Sequence, residues 1–85
     1  MVATSVKQIH IQYYAVLREQ RGLGQETLRT EARTARDLYD ELRAQHGFSL
    51  GVDRLSVAVN DEFATWDSVL SDDDSVVFIP PVAGG

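Results

Sequence analysis

One stretch of this chain has the spacing of an amphipathic helix, and it stands alone between runs that alternate. In "TARDLYDELRAQHG" (residues 34–47), Ala35, Leu38, Tyr39 and Leu42 recur at helical intervals, while Asp37, Asp40, Glu41 and Arg43 take the opposite side. Thr34 suits an N-cap. Asp37, three residues on, makes an approximate capping box, and Gly47 suits the left-handed position that closes a helix. A single helix of about three turns cannot bury its apolar stripe on itself. It needs a sheet to cover, which confines the 85 residues to an α+β architecture with the helix on one sheet face.

The flanking sequence supplies the sheet. "VKQIHIQYYAVL" (6–17) puts Ile9, Ile11 and Tyr13 on one side and Gln8, His10, Gln12 and Tyr14 on the other, the pattern of a half-buried strand. "REQRGLGQE" follows, with Gly22 and Gly24 marking a hairpin turn, and "ETLRTEA" is its return strand. After the helix, "LSVAVN" (55–60) reads as a strand, "ND" at 60–61 as a turn and "EFAT" as a short return. "SVVFIP" is the last strand, and its Val76, Val77, Phe78 and Ile79 suit cover on both faces. The order β-β-α-β-β-β gives a mixed sheet of four to five strands, with the apolar first and last strands side by side at its centre. A β-grasp, or ubiquitin-like roll, is the economical topology, and it leaves the other sheet face uncovered. Residues 1–5 read as a loose arm, 6–79 as the domain and 80–85 as an extended tail.

Several chemistries are excluded. The absence of cysteine removes disulfides, thiol nucleophiles and thiolate zinc sites. A net charge of −5 argues against nucleic acid, which calls for a basic face. No run approaches the length of a membrane span and "MVATSV" lacks the features of a signal peptide, so a cytoplasmic location is expected. Two isolated histidines, His10 and His46, do not make a metal site. "SDDDS" (71–75) lacks the alternating ligands, glycine and distal glutamate of a calcium loop and reads as a solvated turn. Trp66 beside it reads as a packing cap on the core edge. No nucleophile–base pair or phosphate loop is present.

The end of the chain remains. Pro80 and Pro81 cannot donate ladder hydrogen bonds, so the last strand stops there, and they favour an extended path away from the sheet. Val82 and Ala83 are small. Gly84 and Gly85 have no Cβ and can thread a narrow channel. A carboxylate at Gly85 would be a poor acyl donor until another protein activated it with ATP. The tail is then a delivery device, and the catalytic groups belong to its partners.

"AVLRE" after the first strand, "VAVN" in the third, and "LSDDDSVVFIPPVAGG" at the end together resemble the MoaD family, small subunits of molybdopterin synthase. The likeness spans roughly residues 6–85, and "F-x-P-P-V-x-G-G" is its specific part. It implies a non-catalytic, sulfur-donating subunit. Gly85 would be adenylated by an E1-like (MoeB-like) enzyme using ATP, converted to a thiocarboxylate with sulfur from a donor protein, and inserted into the large (MoaE-like) subunit. There it would give sulfur to a cyclic pyranopterin phosphate and build the dithiolene of molybdopterin. Gly84 would allow close passage, and Pro80, Pro81, Val82 and Ala83 would aim the arm. The chain itself would bind no cofactor and no metal. The uncovered sheet face would dock the partner through Tyr14, Phe63 and Ile79, and Arg18 of "LRE" would pair with a partner or local carboxylate. Three other readings stay open: a carrier for thiazole or cysteine synthesis, which the double proline disfavours; a ubiquitin-like protein modifier; and an interaction domain with an inert tail.

Overall fold

The computed structural model describes residues 6–81. Five strands form one mixed sheet: β1 (Lys7–Tyr13), β2 (Gln25–Thr30), β3 (Ser56–Val59), β4 (Glu62–Ala64) and β5 (Ser75–Ile79). Their spatial order is β2-β1-β5-β3-β4. β1 and β5 are parallel neighbours at the centre, and the other pairings are antiparallel. This is the β-grasp expected from the element order, with the first and last strands adjacent.

α2 (Ala35–His46) covers one face. Its Ala35, Leu38, Tyr39 and Leu42 are buried together with Ile9, Ile11, Tyr13, Val57, Val76 and Phe78 from the sheet. Both ends are closed as the sequence suggests. Thr34 Oγ1 accepts from the Asp37 N–H at 3.2 Å, and Gly47 takes a left-handed φ of 69° with its N–H on the Arg43 carbonyl. The first amides of α2 have no carbonyl within their own helix, and the returning chain supplies them. The Ala35 N–H donates to Ser68 O, and Arg36 N–H to Trp66 O. The Trp66 ring, half-buried, stacks on Phe78 at 6.0 Å and tilts against Tyr39, which confirms its place at the core edge.

The structure corrects the reading of residues 14–24. β1 ends at Tyr13, and a second helix, α1 (Ala15–Arg21), occupies what the alternation assigned to strand and hairpin turn. Leu17 is its buried anchor, and Gly22 ends it at a left-handed φ of 83°. Period-2 alternation up to Tyr14 masked the change of period, because one buried residue in a seven-residue helix leaves almost no helical signature. A 3-10 turn at Val52–Arg54 leads into β3, so Leu55 precedes the strand. β3 and β4 are joined by Asn60 and Asp61 with φ of 52° and 71°, a turn with both central residues left-handed, as "ND" favours.

The acidic turn is tied to β1. An Asp72 carboxylate oxygen accepts from the Gln8 N–H at 2.7 Å, and Asp74 accepts from the Ser71 N–H and the Asn60 amide. Those carboxylates hold the crossover into β5. Among the described residues no helix is long and apolar enough to cross a membrane.

Candidate functional site

The sheet face opposite α2 carries the side chains of the second parity. Register places Gln25, Gln12, Val77, Ala58 and Phe63 in one row across all five strands. The row changes character at its middle. On β2 and β1 it is amide, and the neighbouring positions are Thr27, His10 and Ser75. On β5, β3 and β4 it is apolar. Ala58 is small, so the larger Val77 and Phe63 on either side stand above it.

The apolar half extends to where β5 ends. Ile79 lies opposite Ser56 and shares the parity of Val77. With Phe63, Leu55, Arg54, Pro80 and Pro81 it lines a shallow groove at the root of the terminal segment. Phe63 is 80% exposed, the most exposed large hydrophobic side chain among the described residues. None of the described residues covers it. Water contact with a contiguous apolar surface is unfavourable, and such surfaces commonly mark a protein-binding site.

Tyr14 and Arg18 sit apart from this group. Tyr14 follows the last residue of β1 and is the N-cap of α1; it lines a separate depression with Arg18, Gly24, Gln12 and Gln25. The parallel register of Tyr13 with Phe78 puts this depression at the same end of the sheet as Ile79. The Arg18 guanidinium lies over Gly24, where a Cβ would come within 3.3 Å of Nε, and among the described residues it has no ion pair. A carboxylate nearby, Glu26, is taken by another arginine, Arg21. Glu26 receives both Arg21 Nε (2.9 Å) and Nη2 (2.8 Å), and Tyr13 Oη donates to it at 2.6 Å. The Arg21 hydrogen bonds hold the Glu26 carboxyl below its usual range, against partial burial, with Tyr13 adding to the effect. Burial first, and then Glu26, push the Tyr13 hydroxyl well above the ordinary phenol value. The network fastens α1 to β1 and β2 and thereby fixes where Tyr14 and Arg18 stand.

Of the residues named from sequence, Phe63, Ile79, Pro80 and Pro81 come together at one groove. Tyr14 and Arg18 form a second cluster, and Val82, Ala83, Gly84 and Gly85 lie outside the described residues. Parity alone would have added Val77. Ala58 required the register of β3 against both neighbours, and Arg54 required the 3-10 turn.

The ThiS family model matches residues 11–85, nearly the whole fold and the Gly-Gly end. The chain belongs to the ThiS family. Its members are ubiquitin-like sulfur carriers. Three solved structures show the likeness of fold. Molybdopterin converting factor subunit 1 from Pyrococcus furiosus is 30% identical, with a TM-score of 0.73 over 89% of this chain and 99% of that one. The archaeal protein SAMP1 from Haloferax volcanii is 25% identical, with a TM-score of 0.76 over 92% and 99%. A complex of subunits 1 and 2 of molybdopterin-converting factor from Helicobacter pylori contains a chain 22% identical, with a TM-score of 0.62 over 92% and 99%, a likeness of fold alone. Among curated proteins none matches the chain. Within the span that the ThiS family model matches, the apolar groove and diproline stand directly before residues 82–85.

Proposed function

We propose that this ThiS-family chain is the sulfur-carrying small subunit of a molybdopterin synthase. The observation that carries the reading is the apolar row Val77–Ala58–Phe63, which runs into Ile79 and the diproline at the root of the Gly-Gly segment. A partner seated on that row would cover Phe63 and receive the tail in one event. The relation to the Pyrococcus furiosus subunit supports the pathway, and the Helicobacter pylori complex supports a larger subunit as the occupant.

In this reading an E1-like enzyme adenylates the Gly85 carboxylate with ATP, and a sulfur donor protein converts it to a thiocarboxylate. Gly84 and Gly85 pass a channel too narrow for a Cβ. Pro80 and Pro81 stiffen the root, so less chain entropy is lost when the tail inserts. The large subunit holds the cyclic pyranopterin phosphate and supplies the catalytic groups, and Gly85 gives up its sulfur there. The carrier holds no cofactor of its own.

Intact mass after incubation with an E1-like enzyme, ATP and a sulfur donor tests this. The expected result is replacement of one oxygen by sulfur in the C-terminal peptide, and loss of that sulfur when the large subunit and the pterin are added. Sulfuration of the pterin by a chain lacking Gly85 would overturn the reading.

A second reading, a ubiquitin-like protein modifier joined to lysines, is favoured by the likeness to SAMP1, the small archaeal modifier protein 1 of Haloferax volcanii. It predicts conjugates in cell extracts that withstand thiol reductants.

A further inference from the structure

A carrier with an activated terminal carboxyl faces a hazard from its own amines. An acyl-adenylate or thioester reacts with a neutral amine to form an amide. The C–N bond forms as the C–O or C–S bond breaks, the leaving group takes the electron pair, and the amine gives up a proton. Only about one lysine in a thousand is neutral near pH 7.5, but tethering within reach of the acyl carbon gives an effective concentration of order millimolar. Arginine remains protonated and does not enter this reaction.

The chain has eight lysine and arginine side chains, and Lys7 is the single lysine. It stands at the start of β1, paired with Thr30, and its ammonium donates to the Ala32 carbonyl at 2.9 Å. Because β1 and β5 are parallel with Tyr13 beside Phe78, Lys7 is set back from the tail's root by six residues of strand, about 20 Å. At the root itself the cation among the described residues is Arg54. It lines the groove with Asp53, Pro80 and Pro81, on the exposed 3-10 turn before β3. Four residues lead from Pro81 to Gly85, a reach of up to about 14 Å. A side chain on the groove wall beside Pro81 therefore lies within the tail's arc.

We infer that position 54 is a specificity position of the carrier. Arginine there places a cation beside Asp53 at the tail's root without an amine, so an activated Gly85 carboxyl persists for its sulfur donor and does not close on its own chain. This rests on the activated terminus proposed above.

The experiment uses the full chain carrying an α-thioester at Gly85, made by intein cleavage, as the wild type, Arg54→Lys and Lys7→Arg. Each is held at mildly alkaline pH and followed by intact mass and peptide mapping. Arg54→Lys is expected to form an amide between the substituted side chain and Gly85 at least about tenfold faster than the wild type forms any self-amide. The wild type and Lys7→Arg should give mainly the hydrolysed acid. Position 54 loses its assigned role if Arg54→Lys makes no more self-amide than the wild type, or if the wild type closes on Lys7 as fast. The thioester needs no activating enzyme, so this result is read independently. Failure of the wild type to be adenylated by an E1-like enzyme would strike the proposed function instead.

Discussion

Glu26 shows how a single carboxylate can organise one end of this molecule. It takes a bidentate arginine and a tyrosine hydroxyl, and its side chain is only 16% exposed. Glu26→Gln keeps the shape and removes the charge that both partners use. It should cost about 1–3 kcal/mol at neutral pH, read from urea unfolding followed by Trp66 fluorescence. The folded-state pKa of Glu26 lies below its unfolded value, so its contribution is present above about pH 4.5 and is lost as pH falls through the folded value. The wild type and Glu26→Gln should therefore converge in stability in strong acid; a gap that persists there would show that the charge is not the cause. Tyr13 works in the opposite direction. Its folded pKa is raised, so its contribution holds below about pH 10 and declines as pH climbs toward the raised value. Neither role was visible in the sequence, where Tyr13 is one of three apolar-parity residues and Glu26 merely begins a poorly alternating strand.

Among the elements, α2 was legible almost residue by residue, because periodicity, cap and terminator agree over more than ten residues. Thr34→Ala removes the acceptor for the Asp37 N–H and should lower stability by about 1 kcal/mol, with the loss concentrated in hydrogen exchange of the first turn. α1 was not legible. Its stability is tertiary: Leu17 is fully buried, Gln20 exchanges two hydrogen bonds with Ser49, and Arg21 clamps Glu26. A helix this short gains little from propensity alone. Leu17→Ala should cost about 2–5 kcal/mol in thermal or urea unfolding, as large as a core substitution in α2. A loss below about 1 kcal/mol would show that α1 is a passive connector.

For the molecule as a whole, the sheet has one face packed against α2 and one that the described helices leave open, which under the proposed function serves association. Phe63 contributes little to the first, since most of its surface already meets water. Phe63→Ala should leave stability within about 0.5 kcal/mol. Under the proposed function it should weaken binding to the large subunit by roughly tenfold or more, measured by calorimetry. Unchanged affinity would remove the apolar half of the face from the interface. The polar half, with His10 held between Thr27 and Asp73, gives the face a second character that one strand's alternation could not show.

The sequence by itself determined the fold class, the covering helix with its caps, the central pairing of the first and last strands, and the stop at Pro80. Each follows from local spacing or from a residue's own backbone chemistry. Tertiary structure decided what depends on partners distant in the chain. It turned residues 15–21 into a helix through Leu17, gave Glu26 to Arg21, left Arg18 without an ion pair among the described residues, and brought Arg54, Phe63 and Pro81 to one groove. Strand alternation says which face a side chain takes, but only register says which neighbours it meets there.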